Sequence, residues 1–373
     1  MRIHLDSHSF LVTRMNSKER ILAALHAQPV DRLPWCPFLA YWWEHQPANL
    51  RDRGQIAFMR EIGADALLRG FLQPFTVEYG SMVTQETVSS GGMDWSIQRT
   101  PHGELRTGSQ YSPDGDIHYV VHHPVQAAED YRVLRDVVRS MRLKPQFSVV
   151  QEQIDAVGQD GLCVPLISPF GKTPFQALLE HYVGTEQLVY HLMDIPDEVE
   201  ATLELMNEKC LEAVQLAADS PAQVFITWED SSTTNVSPRL FQQYIASQVT
   251  HWGDLLAQVD KALIHHACGH LKALLPIMAQ ENIIAIESIS PPPTGNVELW
   301  DAREIIGPEL CLIGGIEPVH FLTLGDDAFE MYVRELIERM PREAFILANS
   351  DSCPPGVAVE RFRRVTEMAR ESA

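Results

Sequence analysis

Short apolar or β-branched runs recur along the chain, and the stretches between them return apolar residues every three to four positions. The runs are LPWCPF at 33–38, DALL at 65–68, LCVPLI at 162–167, AQVFIT at 222–227, ALIHH at 262–266, IIAI at 283–286, LCLIGG at 310–315 and AFILA at 344–348. Helical periods occupy 54–62, 174–218 in several pieces, 238–257, 271–280, 298–305, 327–339 and 357–370. Eight units of strand then helix predict an α/β fold, a (β/α)8 TIM barrel with its helices outside. A doubly wound sheet is the runner-up, but it calls for a glycine-rich phosphate turn, and no G-x-G-x-x-G occurs.

Residues 72–125 break this rhythm with alternating segments such as TVEYGSMVTQETV, DWSIQRT and DIHYVVHH, punctuated by SSGGMD and SPDGD. They predict a β-hairpin insertion after strand 2. In MNSKERILAALHA, Asn16 or Ser17 is placed to cap a first helix whose apolar stripe is Ile21, Leu22 and Leu25. Residues 1–14 lack the apolar core and cleavage site of a secretory signal. They read as a poorly ordered leader before one barrel domain at 15–373, with Met15 an alternative start.

Composition narrows the function classes. No apolar run approaches the ~18–20 residues that cross a bilayer, which argues against a membrane protein. Acidic residues outnumber basic ones by 50 to 29, and a formal charge of −21 repels nucleic acid and anionic lipid alike. Six cysteines, at 36, 163, 210, 268, 311 and 353, are too sparse for a disulfide framework, so the thiols read as reduced and the protein as cytoplasmic.

In such barrels functional side chains collect at the carboxyl ends of different strands. Just past the predicted strand ends stand Arg69, Ser168, then Trp228, Glu229 and Asp230, then His266 and Cys268, then Glu287, Glu317, Asn349 and Cys353. Strands five and eight face each other across a small barrel, so His266, Cys268 and Cys353 form a candidate zinc set of two thiolates and one imidazole. The fourth tetrahedral position is left for Glu229, water or substrate. Glu229, Asp230 and Glu287 are candidates to tune charge or hold substrate, although solvated loop carboxylates are the plainer account. Cys36, Cys163, Cys210 and Cys311 read as small buried hydrophobes. His265 points opposite to His266, toward the helical layer. His270 reads as a helix-start residue, and the YWWE cluster at 41–44 as packing.

Several segments carry a resemblance: MNSKERILAALHAQPVDRLPW, GADALL, VSPRLFQQYI, HHACGH, IESISPPPTGNVELWDAREIIGPELCLIGGIEP and LANSDSCPPG. Together they resemble the uroporphyrinogen decarboxylase superfamily, which includes zinc-dependent, corrinoid-linked methyltransferases of the coenzyme M type. The resemblance implies a (β/α)8 barrel and two branches of activity. Decarboxylases carry an arginine-rich segment after the first strand, where this chain has PFLAYWWEHQP and no arginine before Arg51. A porphyrinogen's carboxylates need several cationic partners, so the methyltransferase branch looks closer.

In that branch the resemblance implies Zn²⁺ on His266, Cys268 and Cys353, with a corrinoid (cobalamin) as methyl carrier on a partner protein. The segment SDSCPPGVAVERF departs from the usual surroundings of the late cysteine, keeping only the cysteine and prolines. The expected activity is methyl transfer between a corrinoid and a thiol or other small molecule, with a homodimer left open. The alternatives are a metal-free carboxy-lyase and a non-catalytic corrinoid or tetrapyrrole binding protein.

Overall fold

The computed structural model describes residues 14–112 and 117–372. Eight parallel strands form the ring expected from the apolar runs. We number them β1, reduced to a bridge at Trp35, then β2 (Ala66–Arg69), β3 (Gly161–Val164), β4 (Val224–Trp228), β5 (Ala262–His266), β6 (Ala285–Ile289), β7 (Cys311–Ile316) and β8 (Phe345–Asn349). β4 to β8 make one continuous parallel sheet, and β2 pairs with β3 from Ala66↔Gly161 to Arg69↔Val164.

Three short seams close the circle. Leu166↔Ile226 joins the end of β3 to β4, Trp35↔Leu347 joins β1 to β8, and Asp65 N donates to Trp35 O at 2.8 Å between β1 and β2. The barrel is therefore closed, with its weakest pairing at β1.

Alternation along each strand sorts the side chains into two layers. Leu67, Leu162, Ile226, Ile264, Ile313 and Ile346 fill the lumen, while Phe225, Leu263, Leu312 and Phe345 pack outward against helices. The first helix, Ser17–Leu25, has the expected cap at Asn16, whose Oδ1 accepts from Glu19 N (2.9 Å) while Glu19 Oε2 accepts from Asn16 N (3.0 Å). Its buried Ile21, Ala24 and Leu25 join the lumen core from below.

The interruption after β2 is longer than the predicted 72–125. A four-stranded antiparallel meander, Thr84–Ser90, Met93–Thr100, Gly103–Ser112 and Ile117–His122, is followed by helix Ala128–Ser140. Met141–Pro145 then returns to pair with Phe75–Tyr79. The overlooked helix is amphipathic, with Tyr131, Leu134 and Val138 buried and Asp130 Oδ2 accepting from Gln126 N and Ala127 N. The predicted helix at 271–280 contracts to Leu275–Met278, because the chain from Ala267 to Leu274 is a loop over the barrel mouth. The leader call at 1–14 falls outside the described residues except for Arg14, as does the SPDGD turn from 113 to 116. All six cysteines are free, and no described helix is long and apolar enough to cross a membrane.

Asp65 fixes the closing seam. It is fully buried and accepts from Arg20 Nη1 (2.7 Å), Arg32 Nη1 and Nη2 (2.8 Å each) and Trp35 N (3.1 Å). Asp65→Ala would leave Arg32 without its carboxylate and Arg20 with Asp31 alone at the barrel floor, and we expect a loss of about 3–5 kcal/mol in unfolding free energy. Urea denaturation checks this; a loss below about 1 kcal/mol, the worth of an exposed pair, would show that the seam does not depend on Asp65.

Candidate metal centre

At the carboxyl ends of the strands the lumen turns polar. The period of two that sends Ile264 inward also sends His266 inward, and on neighbouring strands it brings Arg69 and Glu287 to the same level. Arg69 and Glu287 form a buried ion pair through Nε and Oε1. Glu287 Oε2 lies 2.9 Å from His266 Nδ1. A carboxylate only accepts, so Nδ1 carries a proton and the ring is held with Nε2 facing the mouth. Burial lowers the Arg69 guanidinium to about 10, which leaves it cationic at neutral pH.

Two turns deliver the remaining donors. After β5 the chain reverses at Gly269 (φ +84), where an added Cβ would come within 2.9 Å of Ser232 Oγ. This swings Cys268 back over His266. After β4, Asp230 itself takes a left-handed conformation (φ 46) and projects over the lumen. Its Oδ1 lies 3.3 Å from His266 Nε2 and 3.6 Å from Cys268 Sγ, and one donor atom from each of the three residues falls within 4.8 Å of the others.

The electrostatics suit a cation. Burial raises the Asp230 carboxyl, but the hydrogen bond with His266 and the charge of Lys172 outweigh it and hold the group well below the usual carboxylate range. Burial pushes the Cys268 thiol far up, and the carboxylates of Asp230 and Asp351 push it further. A bound divalent ion would reverse that preference. Nitrogen, sulfur and oxygen donors in one cluster, with the second ring nitrogen anchored by a carboxylate, fit a zinc ion.

Lys172 stands behind Asp230. It is buried, with Nζ 2.8 Å from Asp230 Oδ2 and also paired with Glu180, whose other oxygen accepts from Gln176 Nε2. Burial pushes the Glu180 carboxyl up to about 7, Lys172 opposes that shift and Asp230 adds to it. An aromatic wall flanks the cluster: Trp228 lies 6.1 Å from the His266 ring and 6.2 Å from Phe38, and Phe38 lies 6.3 Å from Phe71.

Two of the residues expected as ligands stand elsewhere. Glu229 points out of the lumen because Trp228 points in, and its carboxylate accepts from Thr173 N (2.8 and 3.1 Å), Thr173 Oγ1 (2.6 Å) and Thr227 Oγ1 (2.5 Å). Cys353 does not join the 4.8 Å cluster. Its backbone bonds to Phe38 O and Trp42 N, and its thiol, raised by burial, belongs to the large apolar cluster. Asp230, named for its charge rather than as a ligand, takes the place beside His266 and Cys268. Lys172 escaped the sequence reading because only Ser168 was taken as the residue past the third strand, whereas the loop runs on to Thr173.

The outer histidine behaves as alternation requires: His265 Nδ1 pairs with Glu281 Oε2 at 2.6 Å, and its ring lies against Phe241. His270 sits in the loop rather than opening a helix, and its carbonyl accepts from Thr233 N. Trp42 of the YWWE cluster is buried against Phe58 and Phe362.

A uroporphyrinogen decarboxylase (URO-D) family profile matches residues 108–372. The chain belongs to that family. This URO-D family protein is 21% identical to the methylcobamide:CoM methyltransferase MtaA of Methanosarcina barkeri over 319 residues, 83% of this chain and 84% of that one. Its fold is that of a methyltransferase from Methanosarcina mazei, with a TM-score of 0.60 at 17% identity, covering 96% of this chain and 99% of the other. A TIM barrel is thus the fold on both counts, the strand ring and the solved relative.

The ion pair that orients His266 is open to a direct test. Arg69→Met leaves the Glu287 carboxylate buried without its cation, and we expect about 3–5 kcal/mol of destabilisation. Arg69→Met combined with Glu287→Gln removes both charges and is expected to recover much of that loss. Denaturation of the two variants side by side measures the difference; equal losses would mean that the charges do not interact.

Proposed function

We propose that this protein is a metal-dependent methyltransferase that moves a methyl group between a corrinoid and a thiol or related small molecule. The observation that carries the reading is the convergence of Asp230, His266 and Cys268 from two different strand ends onto one point of the mouth. Membership of the URO-D family and the likeness to a methylcobamide:CoM methyltransferase support it. A zinc ion held there would lower the pKa of an incoming thiol, so that the sulfur reacts as a thiolate near neutral pH.

The chain's own residues then have separable tasks. His266 and Cys268 are the softer donors, and Glu287 holds His266 in its working tautomer and orientation. Asp230 supplies a hard oxygen whose charge is partly balanced by Lys172. Trp228 and Phe38 exclude water from one side, and the exposed Phe71 offers the non-reacting part of a ligand an apolar surface. The methyl carrier reaches the mouth from solvent, which suits a corrinoid presented by a second protein.

A porphyrinogen carboxy-lyase needs free cations over its substrate's carboxylates. The two cations beside this cluster, Arg69 and Lys172, are already engaged by Glu287 and by Glu180 with Asp230.

Elemental analysis of purified protein together with demethylation of methylcobalamin by a thiol, followed by absorbance, tests the reading. We expect one zinc per chain. His266→Ala, Cys268→Ser and Asp230→Asn should lose zinc and turnover together, Glu287→Gln should weaken zinc binding about 10–100-fold, and Glu229→Gln and Cys353→Ser should keep the metal. Loss of zinc from Cys353→Ser would return that cysteine to the ligand set. Metal-free wild type that releases carbon dioxide from a porphyrinogen would replace the proposal with the carboxy-lyase.

A further inference from the structure

The two oxygens of Asp230 face different partners. Oδ1 looks toward His266 Nε2 (3.3 Å) and Cys268 Sγ (3.6 Å), whereas Oδ2 is 2.8 Å from Lys172 Nζ. Lys172 has little freedom to release it. The residue is 5% exposed, its ammonium is shared with Glu180, and Glu180 is held in turn by Gln176 Nε2. The backbone on either side is also tied: Lys172 O accepts from Ser168 Oγ (2.7 Å), and Thr173 N donates to Glu229. The outward-facing Glu229 thus fixes the loop that carries Lys172.

Resting on the reading of Asp230, His266 and Cys268 as metal ligands, we infer that Lys172 is a positioning residue that restricts Asp230 to offering one carboxylate oxygen to the ion. A carboxylate binds a metal through one oxygen or two, and zinc favours four donors. With Oδ2 engaged by an ammonium, nitrogen, sulfur and a single oxygen leave one position for the reactant sulfur. Without Lys172, Asp230 would be free to turn its second oxygen inward and close that position, and the loss of a nearby positive charge would strengthen attraction for the ion. Lys172 therefore weakens metal binding and preserves access, the reverse of what a purely structural lysine does.

The test uses metal-free full-length protein. Wild type, Lys172→Met and Lys172→Arg are titrated with zinc against a chromophoric chelator. They are also loaded with Co²⁺ and followed in the visible range as 2-mercaptoethanol is added. The expected result is zinc binding roughly tenfold tighter in Lys172→Met, with the thiol-induced change in the Co²⁺ spectrum reduced at least as much, and near wild-type behaviour in Lys172→Arg. Where Lys172→Met does not fold, Lys172→Met with Glu180→Gln, which also removes the neighbouring charge, carries the expectation of a reduced thiol response without the electrostatic gain in zinc affinity. Equal or weaker zinc binding in Lys172→Met, with wild type binding normally, overturns the role of Lys172 alone. Wild type that binds neither ion overturns the ligand reading beneath it.

Discussion

A guanidinium and a carboxylate inside a closed barrel set the terms for everything above them. Arg69 and Glu287 are both buried from bulk solvent, so each charge is tolerable only because the other is there. That necessity has a directional consequence. Glu287 uses one oxygen for Arg69, and the other is left for His266 Nδ1. The imidazole that meets the mouth is therefore oriented from below by a group that cannot move without exposing a bare charge to an apolar interior. Arg69 is further pinned by the Phe38 ring, 4.5 Å from its guanidinium carbon.

The two ends of the barrel divide their work accordingly. At the floor, Asp65 gathers Arg20, Arg32 and the Trp35 amide into a network with no chemistry to perform, and it compensates for a first strand that pairs through a single bridge. At the mouth the same kind of buried charge holds a side chain whose second ring nitrogen faces Asp230. Stability at the amino ends of the strands and function at the carboxyl ends is the division expected of a TIM barrel.

How much of this was legible depends on period. The eight runs that predicted strands are the eight strands, because parallel strands covered on both faces must be apolar nearly throughout. The placements of His265 and His266 followed from alternation, and the same rule applied to β4 would have turned Glu229 outward with Phe225 and Thr227. Strand limits were the obstacle. Glu287 was read as lying past strand six, yet β6 runs to Ile289 and makes it a lumen residue. What periodicity could not supply was the path of the loops. The left-handed turn at Asp230 and the extended loop carrying Lys172 are set by tertiary contacts, and Cys353 is placed by backbone bonds to Phe38 and Trp42, residues more than three hundred positions earlier. The helix at 128–140 was missed for another reason: its stripe was legible, but it lies past the hairpin segment read at 72–125, in a stretch given no element.

Charge at the mouth gives the cluster its direction. Among the described residues, the cations paired with Asp230, Glu180 and Glu287 are Lys172 and Arg69, so with all three carboxylates ionised the group carries an excess negative charge even before Asp351 is counted. Burial, reinforced by that excess, holds the Cys268 thiol in its protonated form. A neutral ligand would leave the imbalance in place, and an anion would worsen it. A divalent cation balances the uncompensated carboxylate together with the thiolate that it would itself create, so binding the ion and ionising Cys268 are two aspects of one event. The same arithmetic explains the aromatic wall. With the charges cancelled, the space beside His266 would have little electrostatic pull on water, and Trp228 and Phe38 would keep it dry, as the proposed transfer to a thiolate requires.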